Sequence, residues 1–263
     1  MIEFRNVSKS FEDDVILNNI SFRIHRGETK VILGASGSGK STILKLILGL
    51  IRPDSGQILI EGQDITRMSE QDLSEVRQKI GMVFQEGALF DSLSVKENVG
   101  YRLYESGKMD DEEIEQIVVR LLGFVGLEEA LEKMPAELSG GMKRRVGIAR
   151  ALVGTPRVIL YDEPTAGLDP ITKRTIVELM IKLRDVEGVT TVFVTHDLRS
   201  AGIMASEYAE ADPEGRIRFL KGGESLCLVN VHFIMLDEGI ISFEGRFADM
   251  MTSDIPYIRK FVT

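Results

Sequence analysis

Residues Gly34-Ala35-Ser36-Gly37-Ser38-Gly39-Lys40-Ser41, with Thr42 following, combine the residue types and spacing that hold phosphate. They fit the pattern G-x-x-x-x-G-K-[ST], and the context fits as well: the apolar run Val31-Ile32-Leu33 precedes them and a helical run follows. Glycines let backbone N–H groups turn inward around phosphates, and the start of the following helix adds partial positive charge. Lys40 is placed to reach the β and γ phosphates, and the Ser41 hydroxyl can ligate Mg²⁺. The competing reading, a flexible glycine turn, does not account for the strand before and the helix after.

Two more groups close apolar runs. Val158 to Tyr161 ends in Asp162-Glu163, as a buried parallel strand would if it delivered carboxylates at its C-terminal end beside the phosphate loop. Asp162 would then hold magnesium, usually through water, and Glu163 would act as general base on the attacking water. Alone, this dipeptide reads as an acidic pair ending a surface strand; the phosphate loop shifts the balance. His196 follows Thr190 to Thr195 and should end a neighbouring strand, within reach of a γ-phosphate. His25 and His232 have no such context and read as surface or packing residues. Phe11 could stack on an adenine or pack in the core, and the sequence leaves both open.

Positioning these groups requires a parallel sheet. Short apolar or alternating runs between residues 2 and 33 suggest strands, residues 41–50 read as helix, and the stretch from Gln57 to Ile65 suggests a further strand pair. A stretch rich in Glu and Leu from Asp110 to Glu132 reads as a helical insert. Strand, helix, strand then recurs through residues 157–162, the helix Pro170 to Asp185, and residues 190–197, which indicates crossover connections. No Pro/Ser-rich linker divides the chain, so residues 1–263 read as one composite domain.

Composition narrows the function classes. With 43% hydrophobic residues the chain can bury a sizeable core. A net charge of −9 argues against a surface built to neutralise nucleic acid or to sit directly on anionic lipid. Cys227 is the sole cysteine, so there is no intramolecular disulfide or cysteine metal cluster, which fits a reducing cytosol; the residue itself reads as a small buried hydrophobe. No window is long and apolar enough for a membrane span, and the N-terminus lacks the apolar core of a signal peptide. A membrane role is therefore expected to come through a partner.

Leu138-Ser139-Gly140-Gly141-Met142, followed by KRRVGIARALV, resembles the signature motif and helix of ABC ATPases. The likeness covers nearly the whole chain: Gln85 resembles the glutamine-loop residue, Ala166 to Asp169 the D-loop, and His196 the switch histidine. The resemblance implies an α/β phosphate-loop (RecA-like) NTPase core, an N-terminal antiparallel β subdomain, and a helical subdomain over about residues 85–153. It also implies ATP and Mg²⁺ as ligands, with Gln85 beside the metal and Gln85 and His196 sensing the γ-phosphate. Two copies would pack head to tail, Ser139, Gly140 and Gly141 of one closing over the ATP of the other, with Asp169 at the same interface. The chemistry suits this, since a hydroxyl, exposed backbone N–H groups and a helix N-terminus all favour phosphate. A plain helix N-cap with two glycines is the alternative.

Within the family, the segments around Gln85 to Leu103, the signature, residues 162–171 and the ending SDIPYIRKF look most like the ATPases of Mla/Mce-type systems, which move lipids between bacterial membranes. This implies a homodimer on the inner face of the cell membrane, bound to an integral permease and associated with a lipid-binding Mce-type periplasmic protein. Amino-acid and glycine betaine importers share large parts of the pattern. A soluble nucleic-acid-associated ABC ATPase is the rival of another class, and its marks (a long coiled coil, tandem copies, zinc cysteines) are missing here.

One segment departs from the family. Residues 205–232 exceed what the family carries there, and RIRFL and LCLVNV read as two strands of a surface hairpin joined by the glycine turn KGGES. The strand FIMLDEG after it is taken as the family's own.

Overall fold

A computed structural model describes residues 1–222 and 230–262. Its centre is a six-stranded sheet ordered β12-β11-β3-β8-β7-β6, in which β3 (Thr29–Leu33), β6 (Ile80–Val83), β7 (Val158–Asp162), β8 (Thr190–Thr195) and β11 (Val231–Asp237) run parallel. β12 (Ile240–Gly245) joins β11 as an antiparallel edge. The parallel strands are nearly continuous apolar runs because both faces of the sheet are covered. On one face Val31, Leu33, Ile159, Tyr161 and Phe193 pack into a core with the helices. On the other, Ile32, Leu160, Val192 and Val194 meet the second sheet and the helix after the phosphate loop. The two-residue period of each strand divides its side chains between these layers.

The second sheet is antiparallel, ordered β2-β1-β4-β5, from β1 (Ile2–Phe11), β2 (Asp14–Ile24), β4 (Ser55–Ile60) and β5 (Gln63–Asp64). Between the sheets lies α1 (Lys40–Ile47), whose Ile43, Leu44, Leu46 and Ile47 are buried. Then come α2 (Glu70–Arg77), α3 (Val95–Ser106), α4 (Asp111–Phe124) and α5 (Gly140–Leu152), the last three forming the helical insert between β6 and β7. Ser94 and Asp110 start α3 and α4 with capping boxes closed by Glu97 and Glu113. α6 (Pro170–Asp185) and α7 (Leu198–Ser206) are the crossover helices, and α8 (Phe247–Met251) and α9 (Pro256–Val262) end the described chain.

Within the departure segment the described residues form a hairpin of their own. RIRFL contributes most of β10 (Ile217–Lys221), which pairs with the preceding β9 (Glu207–Ala211). The turn lies at Asp212 to Arg216, where the Asp212 carboxylate accepts from the N–H groups of Glu214 (3.0 Å) and Arg216 (2.8 Å). EYAEA carries little strand propensity, so its pairing is dictated by that turn and by anchors at its base. Those anchors are firm: Arg174 donates to both oxygens of Glu207 at 2.8 and 2.5 Å, and the Ala209 N–H donates to Asp185 at 2.8 Å. Most of the proposed second strand, with the last three residues of the turn KGGES and Cys227, lies outside the described residues, and Val231 belongs to core strand β11.

Candidate functional site

Parallel strands deliver their C-terminal ends to one edge of the sheet, which is where ligands bind in folds of this type. β8 lies between β3 and β7, with Leu33 beside Thr195 and Asp162 beside Val194. The phosphate loop, Asp162-Glu163 and Thr195-His196 therefore converge although they lie some 160 positions apart in the chain at their extremes.

The loop from Gly34 to Lys40 joins β3 to α1. Gly39 has φ +99°, and a Cβ there would lie 2.8 Å from Leu17 Cδ2 and 2.9 Å from the Ile16 carbonyl, so only glycine fits this turn. Lys40 spans the loop, its Nζ donating to the carbonyls of Gly34 and Ala35, each at 2.8 Å. Burial pushes the Lys40 pKa down, with Glu163 and Asp162 opposing. Ser41 Oγ donates to Asp162 Oδ1 at 2.9 Å. Burial raises the Asp162 carboxyl above the usual range, and the Ser41 bond works against it.

Glu163 sits at the junction of these parts. Its Oε2 accepts from Thr195 Oγ1 (3.1 Å) and the His196 N–H (3.3 Å), its Oε1 faces His196 Nδ1 at 3.0 Å, and Lys40 Nζ is 4.0 Å away. The backbone of Glu163 is left-handed, φ 48°, a conformation costly for a side-chain-bearing residue and tied here by the Glu163 N–H to the Val194 carbonyl at 3.0 Å.

Lys40, Ser41, Glu163 and His196 line a cavity of about 670 Å³ that also takes in Phe11, Ser36, Gly37, Thr42 and Gln85. Phe11 is therefore not a core residue; it is 45% exposed at the mouth of the cavity. Ser38 is buried with its Oγ unpartnered, and the Ser41–Asp162 pair presents the hard oxygen donors that magnesium prefers. The residues present thus fit Mg-nucleotide.

The signature residues and Asp169 lie apart from this cavity. Ser139 caps α5, its Oγ accepting from the Met142 N–H at 3.3 Å, and Ser139 and Gly140 are exposed. Gly141 is buried: a Cβ there would meet Thr172 Cγ2 at 2.3 Å, so packing against its own chain already requires glycine. Asp169 caps α6, accepting from the N–H groups of Ile171 and Thr172 at 3.0 Å each, and the Thr172 hydroxyl holds its carboxyl below the usual range.

Other site residues were missed by sequence reasoning. Thr195 could have been noticed as the last residue of an apolar strand. Asn98 carried no sequence signal: fully buried, it bonds Phe90 N at 2.8 Å and the carbonyls of Phe90, Leu93 and Ser94 at 2.9–3.0 Å, fixing the loop after Gln85. Arg144 links the signature helix to the catalytic edge, donating to Gly140 O (3.2 Å) and Ala166 O (2.6 Å).

A nucleotide-binding phosphate-loop ATPase with a helical insert between its glutamine loop and its acidic strand is the class that this fold and edge define. The family model described as ABC transporter matches residues 17–166, and the chain belongs to that family as an ABC ATPase. It is 40% identical to the chloroplastic protein trigalactosyldiacylglycerol 3 of Arabidopsis thaliana over 271 aligned residues, covering 100% of this chain and 73% of that one. It is 41% identical over 209 residues to the intermembrane phospholipid transport system ATP-binding protein MlaF of Haemophilus influenzae, covering 80% of this chain and 79% of the relative. Among solved structures, a dimeric ATP-binding cassette in a post-hydrolysis state bound to ADP and Pi superposes with a TM-score of 0.77 at 33% identity, over 94% of this chain and 98% of that chain.

Proposed function

We propose that the chain works as a homodimer on the inner face of a cell membrane, driving an integral permease that moves phospholipid or related lipid. The name of the MlaF relative and its 41% identity carry the lipid reading. Lys40 and the loop amides hold the β and γ phosphates, and Ser41 and Asp162 hold Mg²⁺, which when bound neutralises charge on the phosphates. Glu163 takes the proton of the attacking water. Thr195 and His196 fix its carboxylate, and His196 and Gln85 register the γ-phosphate.

Ser139, Gly140 and the N-terminus of α5 complete the partner's site. Their separation from the cavity of their own chain supports this reading, since the exposed start of α5 has no phosphate of its own chain to face. A groove of about 820 Å³ beside the glutamine loop, exposing Phe84, Phe90 and Tyr101, supports docking of the permease there. Among the described residues no helix is long and apolar enough to cross a membrane. A Mce-type lipid-binding protein would complete the assembly. Reconstituting the chain with its permease in proteoliposomes tests the proposal: ATP-dependent movement of labelled phospholipid is expected, and transport of a soluble solute without lipid movement would overturn it.

A further inference from the structure

The cavity that holds the phosphate loop has one wall that the loop, the acidic pair and the histidine do not provide. α9, at the far end of the chain, lies against the loop: the Ala35 N–H donates to the Tyr257 hydroxyl at 3.1 Å, across 222 positions of sequence. Four residues on, one helical turn further, Phe261 reaches the cavity itself, lining it with Phe11, Ile16 and the loop. The helix is held from behind by Ile258, which is 1% exposed in the main core. Tyr257 and Phe261 contact one another, ring centroids 6.2 Å apart and tilted by 35°. One face of α9 is therefore a two-aromatic strip, bonded to the loop at Tyr257 and open to the cavity at Phe261.

Phosphates are served by the polar side of this cavity, through Lys40, Ser41 and the loop amides. Its apolar side is formed by Phe11, Ile16 and Phe261. A nucleotide has one flat apolar part, the base, and aromatic faces are the surfaces that bind it without hydrogen-bond demands. We infer that Phe261 is a base-contacting residue of the nucleotide site and that Tyr257 is the positioning residue which pins α9 to the phosphate loop, so that the adenine is held by an aromatic from each end of the chain. The inference rests on the ATP-binding reading of this cavity and extends it to α9.

Phe261 also packs partly on the main core, so the test must separate base contact from support of the fold. Nucleotide affinity is measured by calorimetry for Mg-ATP and for Mg-tripolyphosphate, which offers the phosphates without a base, on the full chain and three variants. Lys40→Ala should weaken both ligands; if it weakens neither, the ATP-binding reading of the cavity fails, independently of Phe261. Phe261→Leu keeps an apolar side chain of similar bulk for the core and removes the aromatic face. It should weaken ATP about five- to tenfold, the low end for loss of one base–aromatic contact, and leave tripolyphosphate affinity and the melting temperature of the nucleotide-free protein unchanged. Phe261→Tyr, which restores an aromatic face, should return ATP affinity to within about twofold of the parent. The inference is overturned if Phe261→Leu leaves ATP affinity unchanged, or if it weakens ATP and tripolyphosphate equally, which would mark α9 as a mere prop for the loop.

Discussion

Replacing Glu163 by glutamine separates its chemical role from its structural one. The amide oxygen can accept from the Thr195 hydroxyl and the His196 N–H as Oε2 does now, at 3.1 and 3.3 Å, while the amide nitrogen turns toward His196 Nδ1, 3.0 Å away. The charge facing Lys40 at 4.0 Å is lost, but Lys40 keeps both of its carbonyl partners and the nearby Asp162. Removing a partly buried carboxylate also removes part of its desolvation cost, so the net change in stability should be about 1 kcal/mol or less. In a chain of this size that moves the melting temperature by about 2–4 °C. The chemical loss is of another order: a positioned general base contributes roughly 10²- to 10⁴-fold, or about 3–5 kcal/mol in the barrier. Single-turnover hydrolysis of labelled ATP, with binding measured separately, reads the two effects apart. The variant should bind ATP as the parent does, hydrolyse it at least a hundredfold more slowly, and accumulate as an ATP-dependent dimer. Hydrolysis within about tenfold of the parent, with binding intact, would refute the assignment of Glu163 as base.

Asp162→Asn should raise the melting temperature of the nucleotide-free protein at neutral pH while weakening Mg-dependent ATP binding. Burial raises the Asp162 pKa above its ordinary 3.8, so the folded state binds the proton more tightly than the unfolded chain does. The carboxylate therefore takes stability away as pH rises through that window, and the asparagine variant should show a flatter pH profile there by thermal melts; an unchanged or lower melting temperature would contradict this. Gly140→Asp has room for its side chain, with Arg144 Nη1 no nearer than 3.4 Å to the new Cβ, so ATP binding should persist. The same variant should stop hydrolysis if this cap faces a partner's γ-phosphate, and normal turnover would argue against the shared site. Replacing residues 210–221 by a short Gly-Ser link should leave ATP hydrolysis within about twofold, since the hairpin's anchors at Glu207 and Ala209 are retained. Glu207→Ala, in contrast, should cost roughly 2 kcal/mol in a denaturant melt, because it strips the bidentate partner from Arg174.

By itself the sequence determined the chemistry and much of the local structure. The phosphate loop, the acidic pair and the histidine each follow an apolar run, and a run that ends in a polar residue marks a strand end without any knowledge of its neighbours. The helix Pro170–Asp185 was legible to the residue, because Asp169 is a strong cap and proline suits the first helical turn. What only the tertiary structure decided is how distant strands are ordered and what their ends meet. Placing β8 between β3 and β7 is what brings Thr195 onto Glu163, and no local pattern encodes that order. The pairing of β9 with β10 over residues 207–221 rests on an aspartate turn and on the Arg174–Glu207 pair, whose partner lies on α6 and is invisible to any local pattern. Gly141 reads as a phosphate-facing glycine in sequence, and only the fold shows that Thr172 of its own chain also leaves no room for a side chain there. Tyr257 meeting Ala35 depends on α9 packing through Ile258 onto a core assembled from the whole chain, a contact whose two sides share nothing in sequence but the fold that joins them.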